Sequence, residues 1–375
     1  MALCTYWESN SKSKGMIPVE PSAGEPLRPP SYASEVAPGV SSPYIDTRLN
    51  RVLRVPLMLW GTLIFLIGMA SYLFGVLIAL PCHLFARQGL LRFDEALVWY
   101  SGIPTLCGLV LIGFDLFILL PYKRDSAPRF GAPDVEDRSV TVALTAYNDE
   151  DSIGPAVEDF RLNPSVRRVI VVDNNSKDST AERARQAGAT VFVEEKAGYG
   201  YCVHRCLSEA LRLADGGYIV LCEGDMTFRS HDIEKLLAYA SHASIVNGTR
   251  IVEQLRERVT QLSTFMYYGN FFVGKLLEIK HLGKGTFTDV GTTYKLLHKE
   301  ALARLLPNLN ASINLEFNAH LMDKALESGE SMVECPVTFH PRVGISKGGN
   351  TGNLRALRVG IRMICGLLFG WETLK

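Results

Sequence analysis

Two carboxylates end an apolar run in the segment YIVLCEGDMTF, residues 218–228. Glu223 and Asp225 are separated by a single glycine. Carboxylate oxygens are the ligands that Mg²⁺ and Mn²⁺ prefer, so the triplet could form a divalent-metal site at the carboxyl end of a strand. The same pattern also fits a strand that runs into an ordinary polar turn. The triplet alone leaves both interpretations open.

Four further apolar runs are typical of strands, and segments of helical composition separate them. They are SVTVALTAYN at 139–148, RRVIVVDNN at 167–175, TVFVEE at 190–195 and ASIVNGTR at 243–250. Strands that alternate with helices at this spacing predict an α/β fold with a parallel, doubly wound sheet.

Polar residues follow most of these strands. In open α/β sheets the loops at the carboxyl ends of the strands surround the ligand crevice. The polar strand ends predicted to converge there are Tyr147, Glu150, Asp173, the loop from Lys196 to Gly200, and the pair Glu223 and Asp225. Their convergence favours a binding site over a set of unrelated turns.

Composition restricts the function further. The 375 residues include 39 Lys plus Arg and 39 Asp plus Glu, so no overall positive field indicates a nucleic-acid partner. The eight cysteines form no C-x-x-C pair, which predicts reduced structural thiols. The chain has neither a P-loop motif nor a G-x-G-x-x-G motif that opens the first helix of the α/β region.

The amino-terminal third has a different character. Residues 1–50 are rich in Pro, Ser and Gly and predict a disordered tail. Residues 51–121 predict a transmembrane hairpin with spans at about 55–80 and 97–120. Asp115 interrupts the second span and is expected to reach the headgroups, with an intramembrane role as the alternative. A re-entrant hairpin also remains possible.

Charge asymmetry predicts the orientation of the hairpin. Six basic residues flank its outer ends, whereas its connection carries two, so the positive-inside rule places both ends in the cytosol. A linker at 122–138 then leads to a domain at 139–350. We expect an integral protein of the endoplasmic reticulum or a prokaryotic plasma membrane, with its catalytic domain in the cytosol.

Two later segments are suited to a membrane surface. The segment 258–281 is apolar and aromatic with basic ends, and the tail 351–375 repeats arginines at helical spacing beside apolar residues. Both are predicted to lie at the membrane interface. The alternative for each is an ordinary helix packed on the domain.

Eight motifs in order over residues 140–350 resemble family 2 glycosyltransferases of the GT-A type. The resemblance is strongest to polyprenyl-phosphate sugar transferases, which include dolichol-phosphate mannose synthase. The motifs are LTAYNDEDSI, VIVVDNNSKDST, EKAGYGYCV, EGDMTF, VNGTR, TDVGTTYKLLHKEAL, NLEFNAHLMDKALESG and VECPVTFHPRVGISKGG. The resemblance implies a GT-A domain attached to the hairpin.

The resemblance also assigns roles to residues. Glu223 and Asp225 match the family's D-x-D-like metal motif, with Glu in the first position. Nucleotide-sugar contacts are implied for Tyr147, Glu150, Asp173, Lys196 and Gly200. Contacts with phosphate or acceptor are implied for Arg250, Arg258, Arg342 and Lys347. The residues expected to act in catalysis are Asp225, Arg342 and Lys347. Lys295 stands where the family often has Arg.

These residues imply an inverting, metal-dependent transfer of a sugar from a nucleotide-diphosphate sugar to dolichyl or polyprenyl phosphate. Mg²⁺ or Mn²⁺ would neutralise the leaving diphosphate. The open alternatives are a transferase with a soluble acceptor such as a phosphoglycerate, and a non-catalytic membrane scaffold of the same fold. A processive polysaccharide synthase is disfavoured, since no Q-x-x-R-W motif and no later spans are found.

Overall fold

The computed structural model describes residues 55–84, 88–123, 135–252, 263–344 and 352–373. The predicted tail at 1–50 and most of the predicted linker at 122–138 lie outside the described residues.

The amino-terminal region is a helical hairpin. Its helices are α1 (Leu57–Leu84), α2 (Gln88–Tyr100), α3 (Gly102–Phe114) and, after a π-helical turn at Asp115–Leu119, α4 (Leu120–Lys123). The stretches Leu57–Ala79 and Arg92–Lys123 are long and apolar enough to cross a membrane. The connection expected between residues 80 and 97 is mostly helical, because α1 continues past Pro81 and α2 begins at Gln88.

Asp115 joins the two outer ends of the hairpin. Its Oδ2 accepts a hydrogen bond from the Met58 amide at 2.6 Å, and its Oδ1 lies 2.6 Å from Lys123 Nζ. The carboxylate is fully buried against these partners, and its expected position at the headgroups stays a prediction. One turn further along α1, a Cβ on Gly61 would lie 2.8 Å from the Gly108 carbonyl oxygen. Glycine is therefore needed where the two helices approach each other.

The rest of the chain forms one seven-stranded sheet. Its strands are β1 (Val140–Ala146), β2 (Val166–Asp173), β3 (Thr190–Val193), β4 (Tyr218–Glu223), β5 (Ile245–Thr249), β6 (Lys295–His298) and β7 (Met332–Pro336). The strand order is β3-β2-β1-β4-β6-β5-β7.

The sheet is mixed, whereas the sequence predicts a parallel one. The strands β1 to β4 pair in parallel, as expected. Strand β6 lies between β4 and β5 and is antiparallel to both. Strands β6 and β7 were not among the predicted runs, because each is short and pairs with strands remote in sequence.

Helices cover both faces of the sheet. They are α5 (Glu150–Leu162), α6 (Thr180–Gln186), α7 (Tyr199–Leu213), α8 (Ile233–Tyr239), α9 (Thr264–Lys280), α10 (Lys299–Leu305), α11 (Phe317–Glu327) and α12 (Asn353–Phe369). One apolar core contains buried residues of α7, α9, α11 and α12, and the other contains residues of α5 and α8. Successive side chains of β1, β2 and β4 point alternately into one core and the other. This confirms the doubly wound arrangement.

The hairpin and α12 pack against each other. Leu59 is fully buried in the same core as Met363 and Leu367, and the rings of Trp60 and Phe369 meet edge to face at 5.1 Å. The opposite side of α12 exposes Leu354, Leu357 and Ile361. The tail helix is thus both packed on the domain and apolar on its outer surface.

Candidate active site

A cavity of about 530 Å³ opens at the carboxyl ends of β1, β2 and β4. Its polar end is lined by residues from the loops that follow these strands. Its other end is lined by α9 and α12, which contribute among others Phe265, Val273, Val359 and Met363. One cavity therefore connects the predicted metal site to two helices beside the hairpin.

Three non-glycine residues with positive φ shape the polar end. They are Asn148 (50°) after β1, Asn175 (59°) after β2 and Met226 (67°) after β4. Asparagine tolerates this backbone region, but for methionine it is uncommon and strained. Such strain is found most often at ligand sites, because the surrounding fold must enforce it.

Glu223 and Asp225 both line the cavity. Asp225 Oδ1 accepts hydrogen bonds from the Thr227 amide at 3.0 Å and the Thr227 hydroxyl at 2.5 Å. Its Oδ2 lies 3.3 Å from Arg342 Nη1. The other end of the same guanidinium reaches Asp149, with Nη2 3.1 Å from Oδ1. Arg342 thus bridges two carboxylates at the polar end of the cavity.

The surroundings of the carboxylate pair shift the pKa of Glu223. Burial and the neighbouring negative charge of Asp225 raise the pKa of Glu223 to about 7, despite opposing contributions from Thr293 and Arg342. An added positive charge nearby would stabilise the ionised form of a carboxyl group in such a position.

The residues fit a divalent cation of the Mg²⁺ or Mn²⁺ type. Two adjacent carboxylates supply hard oxygen ligands, and their mutual repulsion favours a cation between them. No group of three or more His, Cys, Asp or Glu that could hold a metal occurs in the described part of the chain. The remaining ligands would come from substrate phosphate oxygens and water, as is usual for Mg²⁺.

Arg250 lines the cavity but is held by a buried partner. Its Nε and Nη2 each lie 2.7 Å from an oxygen of Asp289. Burial alone would raise the pKa of Asp289, yet the charge and hydrogen bonds of Arg250 hold it below its ordinary value. Lys295 lies nearby, where burial lowers its pKa to about 7, and its Nζ donates to the Thr292 carbonyl.

The structure brings five of the predicted site residues to the cavity and leaves four away from its lining. Those that line it are Tyr147, Glu223, Asp225, Arg250 and Arg342. Those that do not are Glu150, Asp173, Lys196 and Gly200. Arg258 and Lys347 lie outside the described residues.

The four residues away from the lining have contacts that explain their positions. Asp173 Oδ1 accepts from the amide and hydroxyl of Ser176, and so shapes the turn. Glu150 accepts from the Ser179 amide at 3.2 Å. The Lys196 carbonyl accepts from Asn174 at 2.7 Å. A Cβ on Gly200 would lie 1.6 Å from the Ile313 carbonyl oxygen, so this glycine allows close backbone packing.

Sequence reasoning missed several residues that line the cavity. They are Asp149, Asn174, Asn175, Lys177, Asn314, Asn318 and Arg355, whereas Tyr199 lies within the predicted loop from Lys196 to Gly200. Most are immediate neighbours of predicted residues in the same strand-end loops. Asn314 lies in the loop before α11, Asn318 on α11 and Arg355 on α12. No local sequence signal identified them as site residues.

Comparisons with known proteins agree with this geometry. The family model for glycosyl transferase family 2 matches residues 141–306. The uncharacterized glycosyltransferase Rv0539 of Mycobacterium tuberculosis is 30% identical over 226 residues, which cover 60% of this chain and 94% of that protein. A dolichyl-phosphate hexose transferase of Haloferax volcanii is 28% identical over 210 residues, covering 56% of this chain and 86% of that protein.

Solved structures with a similar fold include glucosyl-3-phosphoglycerate synthase from Mycobacterium tuberculosis in complex with Mn²⁺, UDP and phosphoglyceric acid. That structure has a TM-score of 0.46 and 16% identity, and the match covers 62% of this chain and 78% of that chain. The sheet with helices on both faces, the site at its strand ends and the family match agree. The chain has a GT-A fold, belongs to glycosyl transferase family 2 and is a glycosyltransferase.

Proposed function

We propose that this protein transfers a hexose from a nucleoside-diphosphate sugar to a membrane lipid phosphate of the dolichyl or polyprenyl type, with inversion at the anomeric carbon and with Mg²⁺ or Mn²⁺. One observation carries the proposal. A single cavity runs from the carboxylate pair to α9 and α12, beside a hairpin that is long and apolar enough to span a membrane.

The polar end of the cavity suits the donor. Tyr147, Asn174 and Asn175 offer a ring and amides for a nucleoside, and Lys177 adds a positive charge. Glu223 and Asp225 would hold the divalent cation, which would supply charge neutralisation for the departing diphosphate. Donor and cation would then bind at the strand ends, as in other open α/β sheets.

The other end suits an apolar acceptor with a charged head. The cavity wall there combines Val273, Val359 and Met363 with Arg355. The outer surfaces of α9 and α12 expose Phe265, Tyr268, Phe271, Phe272, Leu354, Leu357 and Ile361. Exposed aromatic and aliphatic side chains on helices with basic residues are typical of a membrane interface.

The chemistry of such a transfer needs no strong general base. A lipid phosphate carries an ionised oxygen near neutral pH and can itself attack the anomeric carbon. The residues would therefore act by alignment and by charge. Arg342, between Asp149 and Asp225, is placed to contact phosphate oxygens next to the cation site. Arg355, which lines the apolar end, would contact the phosphate of the acceptor.

The hairpin supports an integral membrane location. The basic residues at its two outer ends favour a cytosolic catalytic domain. The homologous dolichyl-phosphate hexose transferase supports a lipid acceptor for this chain. Membranes that contain such lipids include the endoplasmic reticulum and prokaryotic plasma membranes.

The direct test is a transfer assay with the full chain in detergent. Radiolabelled UDP- and GDP-sugars are each combined with polyprenyl phosphate or with 3-phosphoglycerate, with Mn²⁺ or with EDTA. We expect a lipid-linked product with Mn²⁺ and none with EDTA. A product on phosphoglycerate and none on polyprenyl phosphate would overturn the proposed acceptor. Equal transfer in EDTA would overturn the proposed metal dependence.

A further inference from the structure

The Glu223 carboxylate ends a chain of hydrogen bonds that comes from three separate segments. Thr293, just before β6, donates from its hydroxyl to Glu223 Oε1 at 2.7 Å. The hydroxyl of Tyr199, the first residue of α7, lies 2.5 Å from Thr293 Oγ1. Asn318 on α11 donates from Nδ2 to the Tyr199 hydroxyl at 3.1 Å and to Thr293 Oγ1 at 3.2 Å.

The protons of this chain can all point toward the carboxylate. Thr293 has one hydroxyl proton, and once it is given to Glu223 the oxygen can accept from Tyr199 and Asn318. Burial and the charge of Glu223 raise the pKa of Tyr199 well above its ordinary value, so the phenol keeps its proton and can donate. Thr293 and Asn318 are 1% and 3% exposed, which strengthens these bonds because water does not compete.

The two carboxylates of the pair are therefore held in different ways. Asp225 is fixed by Thr227, two residues away in the same turn. Glu223 has one more methylene and hence one more rotatable bond, and the hydroxyl that donates to it belongs to Thr293, 70 positions away. A longer ligand needs such external support to keep one orientation.

We propose that Thr293, Tyr199 and Asn318 are positioning residues that hold the Glu223 carboxylate toward the cation, so that glutamate can act at this position of the metal motif. This inference rests on the proposed metal-dependent function. In this role the three side chains act through Glu223 and do not contact the reacting atoms.

Thr293→Val tests the proposal because it removes the hydroxyl and keeps the branched shape. The measurement is Mn²⁺ affinity of the full chain in detergent, by electron paramagnetic resonance of free Mn²⁺, with UDP and in parallel with GDP. We expect the affinity to fall about tenfold or more, as is typical when the partner of a metal ligand is removed. Thr293→Ser keeps the hydroxyl and should restore most of the affinity.

The neighbouring residue supplies a matched control. Thr292 is also fully buried, but its Oγ1 has no hydrogen-bond partner among the residues that the structure describes. Thr292→Val should therefore leave Mn²⁺ affinity unchanged. Tyr199→Phe should cause a smaller loss than Thr293→Val, because the phenol reaches Glu223 only through Thr293.

The outcomes separate this inference from the proposed function. If the wild type transfers sugar with Mn²⁺ and Thr293→Val binds Mn²⁺ equally well, the positioning role is wrong and the function stands. If the wild type neither binds Mn²⁺ with a nucleoside diphosphate nor needs it for transfer, both are wrong. Should Thr293→Val fail to fold, wild-type Mn²⁺ affinity in Tyr199→Phe would overturn the inference.

Discussion

The two ends of the cavity are built by different means. At the polar end, strand-end turns fix some of the side chains locally, as Thr227 fixes Asp225, and a few long-range partners such as Thr293 and Arg342 complete the site. At the apolar end, α9 and α12 lie far apart in sequence and meet only in the folded protein. The polar end is built mainly from local turns with a few long-range contacts, whereas the apolar end depends on tertiary contacts throughout.

One buried carboxylate organises the apolar end. Asp323 on α11 accepts from Lys280 and His281 at the end of α9 and from Trp371 Nε1 after α12, each at 2.7 Å. Burial alone would raise its pKa, but the hydrogen bonds and charges of His281 and Lys280 lower the pKa of Asp323 to about 2. This single side chain ties together the helices that line the apolar end of the cavity.

The largest expected effect comes from breaking the polar end. Asp225→Asn keeps the shape of the side chain and removes its charge. The proposed cation would then bind less tightly and would neutralise the departing diphosphate less well. We expect turnover in the transfer assay to fall on the order of a hundredfold or more. Asp215→Asn is the control, since this carboxylate is exposed and pairs with Arg168 at the surface. Near wild-type turnover of Asp225→Asn would contradict the metal assignment.

Arg342→Ala tests whether the polar end also contacts the phosphate of the acceptor. The guanidinium lies between Asp149 and Asp225, and a charge-assisted contact with phosphate contributes about 1.5–3 kcal/mol. We expect kcat/KM for polyprenyl phosphate to fall roughly ten- to a hundredfold. The KM for the nucleotide sugar should change much less. If the donor KM alone rises, Arg342 belongs to the donor end.

A pair of arginines on α12 tests the acceptor end. Arg355 lines the cavity, whereas Arg358, one turn further along and also exposed, does not. Arg355→Ala should raise the KM for polyprenyl phosphate about fivefold, as expected for one basic residue near an anionic headgroup. Arg358→Ala should leave this KM unchanged in detergent. Equal effects of the two variants would mean that only the overall charge of the helix matters.

The smallest effect on catalysis is expected for Asp323→Asn, which should instead lower the free energy of unfolding. The pKa of about 2 lies below the ordinary value of 3.8, so the stabilisation is full above about pH 4 and is lost as pH falls through 2. We expect Asp323→Asn to lower the free energy of unfolding by about 2 kcal/mol at neutral pH, with the difference shrinking toward pH 2.

Urea unfolding of the full chain in detergent at several pH values measures this difference. Glu327→Gln is the control, because Glu327 meets Lys280 at the surface and such pairs contribute at most about 1 kcal/mol. A pH-independent loss in Asp323→Asn would show that packing rather than charge holds the helices.

Much of the polar end could be predicted from the sequence. An apolar run followed by a carboxylate predicts a strand with that carboxylate at its end, and parallel strands place such ends at one edge of the sheet. This reasoning predicted Tyr147, Glu223 and Asp225 at the site, and all three line the cavity. It could not separate Glu150 from Asp149, because a difference of one residue at the start of a helix decides which side chain faces the site.

The sequence by itself determined the strand ends, the apolar hairpin and the order of the motifs, because each depends on residues close together in the chain. The tertiary structure alone decided that β6 inserts antiparallel, that Asp115 joins the hairpin ends, and that Asn318 and Arg355 reach the cavity. It also decided that Thr293 holds Glu223. These features bring together residues that are distant in sequence, and their contacts form only when separate segments pack around a common core.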